Sequence, residues 1–136
     1  MFRALVAYTG HPEIARDAVS EAFVQALARG DELRDPAAWV WRVAFIVARA
    51  ELRDRHQMTP SNDAEPSYEP GDPTTDVFDA LSRISPNQRL AVVLHDYADR
   101  PTSEIAELLG ISRATVHVHL STGRRRLRRL LEVRDD

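Results

Sequence analysis

EIAELLGISRATVHVHL, residues 104–120, carries the fold of this chain. Ile105, Leu108 and Leu109 recur at helical spacing and stop at Gly110, a residue suited to a left-handed turn. Ile111 follows and plugs the corner, and Ser112 is placed to cap a second helix. Val116 and Leu120 then face back toward the first helix, and Gly123, Leu127 and Leu130 continue that side. This is helix-turn-helix spacing, which sets the second helix across the first at a steep angle and leaves it open to enter a major groove.

The charge pattern falls on the same element. Residues 111–131 carry six Arg and no acid, in a chain whose net charge is -3 and which has no Lys. On a helical wheel, Arg113, Ala114, His117, Ser121, Arg124, Arg125 and Arg128 lie on the arc beside the packed stripe. A run of charge is often a solvated face. Here it coincides with the recognition helix, where base edges and phosphates demand such groups. DNA binding is the expectation.

Working outward, Ser85-Pro86 reads as an N-cap and first-turn proline, with Leu90, Val93, Leu94 and Tyr97 inward on the helix that follows. A short helix over 76–84 should bury Val77, Leu81 and Ile84, and the last helix should run from 113 to about 133. Residues 57–75 hold four prolines and almost no aliphatics, so they read as a disordered linker that cannot bury enough apolar surface to order itself.

Before the linker, His11-Pro12 starts a helix to Arg29 with Gly30 as its cap. Its inward residues are expected to be Ala15, Val19, Ala22, Phe23, Ala26 and Leu27, with Glu13, Asp17, Ser20 and Glu21 opposite. Asp35-Pro36 starts a longer helix to about Arg55. Its main apolar stripe is Trp39, Val43, Ile46, Val47 and Ala50; a second is Trp41, Phe45, Ala48 and Leu52, with Arg42, Arg49 and Arg53 between them. The pattern fits either a helix sandwiched in a core or a surface where aromatics and arginines hold unstacked bases.

The expected fold is therefore all-α: two small helical domains, 1–56 and 76–136, joined by a flexible linker over 57–75, the second a helix-turn-helix domain. No stretch alternates as a strand would. Cysteine is absent, which excludes disulfides, thiolate metal sites and a cysteine nucleophile. His117 and His119 point to different faces, and no other histidine has a partner at ligand spacing, so neither metal nor cofactor is expected. No P-loop, Gly-x-Ser-x-Gly or paired-carboxylate motif supports an enzyme. No apolar run approaches the roughly 20 residues that span a bilayer, and the first ten residues lack a signal-peptide pattern, so a cytoplasmic protein without membrane insertion is expected.

These parts, in this order, resemble an extracytoplasmic-function (ECF) sigma factor of the bacterial sigma-70 family. TGHPEIARDAVSEAFVQAL and DPAAWVWRVAFIVARAELRDR are similar to sigma region 2, and residues 81–131 to region 4. The resemblance implies that region 2 binds the polymerase clamp helices and reads and melts the -10 promoter element. It implies that region 4 binds the polymerase flap and reads the -35 element. The clamp surface would be Glu13, Asp17, Ser20 and Glu21. The -35 surface would be Arg113, Ala114, Thr115, His117, Val118 and Ser121, with Arg124 and Arg125 on phosphates. Arg128 on the same arc, and Arg42, Arg49 and Arg53 on the long helix of the first half, are further candidate DNA contacts read from the wheel. Core RNA polymerase, promoter DNA and an anti-sigma factor are the implied partners.

Three features depart from the family. Only nine residues precede Gly10, so the region 2 domain is expected to be short at its N-terminus. Phe45-Ile46 stands where Arg-Asn is common in the -10 reading segment, and Ile lacks the hydrogen bonds of an amide. His117 and Thr122 stand where basic residues are frequent. Two other functions therefore stay open beside initiation: a helix-turn-helix regulator that no longer melts promoters, and a module that binds polymerase or a sigma partner without reading DNA.

Overall fold

The computed structural model describes the backbone of residues 1–58 and 73–134, and the side chains of residues 1–55 and 76–132. The described residues are mostly helical, with no strand among them, and the chain divides into two compact units, Met1–Glu65 and Pro66–Asp136. Most of the stretch expected to be a linker, residues 59–72, lies outside the described residues. Its edges are helical instead. Residues 57 and 58 complete α3, and residues 73–75 open α4. Pro73 stands at a first-turn position, where a missing N–H costs nothing.

The first unit contains α1 (Phe2–Thr9), α2 (Pro12–Arg29) and α3 (Pro36–Met58). The sequence pattern assigns no helix before Gly10, yet α1 buries Ala4, Leu5, Val6 and Tyr8 against its neighbours. Thr9 joins α1 to α2: its hydroxyl accepts the His11 N–H at 3.1 Å and donates to the His11 carbonyl at 3.2 Å. Asp35 caps α3 as expected, its carboxylate accepting the Ala38 N–H at 3.2 Å. Helices α2 and α3 run antiparallel. Arg29, at the end of α2, stacks 5.3 Å over the ring of Trp39 at the start of α3. Arg55, late in α3, donates to Glu13 early in α2 at 2.7 Å.

The inward faces of these two helices differ from expectation. On α2 the buried residues are Ile14, Ala15, Ala18 and Ala22. Phe23 is half exposed and Leu27 is 81% exposed. On α3 the core side is Val40, Ala44, Phe45, Ala48 and Leu52, so the stripe expected to be secondary is the buried one. The residues Trp39, Val43, Ile46 and Ala50 lie outward or half-buried. Apolar residues surround both helices, so periodicity offers two faces of similar strength. Packing selects the alanine-rich pair of faces, because small side chains let two axes approach closely.

The second unit contains α4 (Pro73–Ser82), α5 (Pro86–Val92), a π-helical turn (Val93–Tyr97), α6 (Thr102–Leu109) and α7 (Arg113–Arg134). Ser85 and Gln88 form a reciprocal capping box at the start of α5, with both hydrogen bonds at 3.2 Å. Leu90, Val93, Leu94, Ile105, Val116 and Leu120 make the core, with Ala80, Leu81 and Ile84 from the α4 end. Two residues expected inward are not. Val77 is 46% exposed, its place taken by Ala80. Tyr97 is 59% exposed, because the Ala98 N–H donates to the Val93 carbonyl five residues back. That π closure shifts the register by one residue and turns Tyr97 out of the stripe that a 3.6-residue period assigns to it.

Gly123 lets α7 lie against α5. A Cβ there would stand 3.1 Å from Val92 Cγ2 and 3.3 Å from Gln88 Cβ. Gly123→Leu is expected to destabilise the unit by about 1–3 kcal/mol through overpacking. Gly123→Ala should be close to neutral, since improved helix propensity offsets the tight contact. Thermal denaturation checks both; a Leu variant that melts like the parent would place Gly123 away from α5.

Candidate nucleic-acid interface

The turn between α6 and α7 is built by local chemistry. Gly110 has φ 68°, a left-handed conformation that side chains rarely adopt. It allows the Ile111 N–H to donate to the Ala106 carbonyl at 3.0 Å, which closes α6. The Ser112 hydroxyl then accepts the Thr115 N–H at 3.1 Å and caps α7. With Val116 and Leu120 anchored in the core, the opposite side of α7 must face out.

The structure places Arg113, Ala114, His117, Val118, Ser121, Arg124, Arg125 and Arg128 on exposed positions of that helix. Val118 is 61% exposed, an apolar surface of the kind that suits a thymine methyl. Thr115 is half-buried, with its hydroxyl 2.9 Å from that of Ser112, so it is placed more for capping than for outward contact.

The six arginines divide into two groups. Arg124 forms a bidentate pair with Asp96 and is held above its ordinary pKa chiefly by that hydrogen bond. Arg126 donates to Gln88 Oε1 at 3.0 Å and to the Arg83 carbonyl at 3.1 Å, fastening α7 to the start of α5. Arg113, Arg125, Arg128 and Arg129 point to solvent. Sequence reasoning missed the roles of Asp96 and Arg126, and it left the exposed Arg129 out of the DNA surface.

In the first unit, Arg42, Ile46, Arg49 and Arg53 follow one another along α3 at helical spacing. Arg42 and Arg53 are exposed and Arg49 is half-buried. Ile46 is 44% exposed between them, whereas Phe45 is 0% exposed and packs against Tyr8 and Trp41 at ring separations of 5.6 and 6.2 Å. The two neighbours thus have unlike environments: Phe45 belongs to the core and Ile46 to the surface.

Glu13, Asp17, Ser20 and Glu21 are all exposed on α2. Two of them already have partners. Glu13 is held below the usual carboxylate range, first by the hydrogen bond from Arg55 and then by its own backbone N–H. Glu21 accepts the Gln25 amide at 2.7 Å. Nearby Glu51 is pushed up by burial, reinforced by Asp17. Phe23, Val24 and Leu27 extend this outward face with exposed apolar surface, although the wheel turns Phe23 and Leu27 inward.

Among the described residues, no group of three or more His, Asp or Glu is arranged to hold a metal ion. Nor is any helix among them long and apolar enough to cross a membrane.

Residues 75–127 match the family described as Sigma-70, region 4. Over 133 residues the chain is 30% identical to the RNA polymerase sigma-E factor of Streptomyces avermitilis, covering 91% of this chain and 74% of that protein. The chain belongs to the ECF sigma factors of the sigma-70 family. It is also 32% identical to the ECF RNA polymerase sigma factor SigJ of Mycobacterium tuberculosis, over 88% of its own length but only 45% of SigJ. The crystal structure of SigJ matches with a TM-score of 0.73 at 27% identity, over 93% of this chain and 49% of SigJ. The sigma factor RpoE of Bartonella quintana, solved with the anti-sigma factor NepR, has a TM-score of 0.78 at 20% identity, over 97% of this chain and 89% of RpoE, and shares the all-helical fold. This ECF sigma chain thus spans less than half the length of SigJ and most of the other two.

Proposed function

We propose that this chain binds core RNA polymerase and promoter DNA and directs transcription initiation in the bacterial cytoplasm, without catalysis of its own. The observation that carries the reading is the exposed basic arc of α7, mounted on a helix-turn-helix. Its N-terminal half presents Arg113, Ala114, His117, Val118 and Ser121 to base edges, and its C-terminal half presents arginines to phosphate. The Arg42, Arg49 and Arg53 stripe of α3 supports a second DNA contact. The two halves are proposed to fold as separate domains, testable by expressing 1–65 and 66–136 apart and measuring the helix content of each.

Glu13, Asp17, Ser20 and Glu21 are proposed as the polymerase-facing surface. Reversal of Asp17 and Glu21 to Arg together is expected to weaken capture of core polymerase, with little change in the melt, since exposed charges contribute about 1 kcal/mol or less to stability. Unchanged capture by the double variant would remove this surface from the assignment. Two structural relatives are complexed with the anti-sigma factor NepR and the cytosolic domain of CnrY, and a comparable partner is proposed for this chain.

Transcription in vitro with core polymerase and genomic DNA tests the whole reading. Discrete run-off products support it. DNA binding without transcripts would favour a helix-turn-helix regulator, a reading that the buried Phe45 and aliphatic Ile46 recommend. Polymerase binding alone would indicate an interaction module.

A further inference from the structure

Asp96 and Arg124 lie 28 residues apart and meet edge to edge: Arg124 Nε donates to Oδ2 at 2.8 Å and Nη2 donates to Oδ1 at 2.5 Å. Both carboxylate oxygens are engaged by one guanidinium, the geometry that makes Arg–carboxylate pairs both strong and specific. The π-helical turn presents Asp96, because its five-residue closure gives Asp96 and Tyr97 directions that a regular helix would not. Arg124 sits on the flank of the basic arc of α7, next to Arg125 and one turn before Arg128.

The pair brings one positive and one negative charge to the same face. Were Arg124 to swing to a phosphate, the Asp96 carboxylate would be left unpaired beside the DNA. In either arrangement the two residues together offer the backbone no net charge. Arg125 and Arg128 carry no such neighbour among the hydrogen bonds and ion pairs of the described residues.

We propose that Asp96 neutralises Arg124 and so sets how many phosphates this unit holds, leaving backbone contact to Arg125 and Arg128. Asp96 is then a positioning residue. It holds down the electrostatic part of DNA affinity, which is the part shared by every sequence. The inference rests on the DNA-binding reading above and revises the place of Arg124 within it.

Salt dependence reads the number of phosphates held, which a merely structural role would not move. The probe is the full chain titrated with a labelled random-sequence duplex at several salt concentrations. Each phosphate contact contributes about 0.9 to the slope of log K against log salt. Asp96→Asn is expected to steepen the slope by about 0.9 and to tighten binding roughly fivefold at physiological salt. Asp96→Asn combined with Arg124→Gln should return the slope to the parent value. Asp96→Glu, which keeps the charge, should also keep the parent slope, and Arg125→Gln should flatten it by about 0.9. An unchanged slope for Asp96→Asn in a variant that melts like the parent would overturn the proposal. So would a double variant flatter than the parent by about 0.9, because Arg124 would then hold a phosphate despite Asp96. If even Arg125→Gln leaves the slope unmoved, the DNA-binding reading itself fails and takes this proposal with it.

Discussion

Replacing Phe45 with alanine is expected to unfold the Met1–Glu65 unit, at a cost of about 3–5 kcal/mol. The ring is 0% exposed and meets Tyr8 from α1 and Trp41 from its own helix. Truncation leaves a cavity between α1 and α3, and a unit of this size has little stability in reserve. Its neighbour should behave oppositely. Ile46→Asn is expected to leave the melt unchanged, because that side chain is 44% exposed. The new amide would instead supply hydrogen-bonding groups between Arg42 and Arg49, on the face proposed to meet promoter DNA, and should raise promoter opening. Circular-dichroism melts and promoter-opening assays on the two variants separate the roles. A Phe45→Ala protein that folds normally but fails to open promoters would place Phe45 on the DNA surface.

The second large effect is expected at Arg113. It stands at the first position of α7, exposed, at the end of the helix that would enter the groove. Its planar fork can donate to O6 and N7 of one guanine. Arg113→Ala should therefore cost about 1–3 kcal/mol on a preferred site and relax preference at one base position. Binding to random DNA should change far less. Arg125→Ala should instead weaken binding to preferred and random duplexes alike, as loss of a phosphate contact does. Competition titrations with both duplexes measure the difference. Equal losses for Arg113→Ala on the two would show that it holds backbone and reads no base.

The starts of α3, α5 and α7 were legible in the sequence because their causes are local. Asp35 and Ser112 each cap an N–H three residues on, and Ser85 and Gln88 cap each other. Gly110 permits the left-handed turn without help from elsewhere in the chain. The outward arc of α7 was legible for a related reason: Val116, Leu120 and Gly123 leave one apolar stripe, so its opposite was unambiguous. Helices α2 and α3 carried no such asymmetry. Leu27 could be read as core and proved 81% exposed, because the neighbour's shape chooses between two apolar faces. The contribution of α1 was hidden likewise, since eight residues make a marginal helix until others cover it.

Residue order alone was enough to establish an all-helical pattern, the caps that start α3, α5 and α7, and a C-terminal helix with a basic arc. Folding in three dimensions was needed to choose the buried faces of α2 and α3, to put Phe45 in the core and Ile46 on the surface, and to bring Asp96 to Arg124. The physical reason is range. Capping and turn preferences act within about four residues, where the sequence records both partners side by side. Burial and ion pairing across a π-helical turn depend on groups brought together only when the chain has folded, and the Asp96–Arg124 pair spans 28 residues.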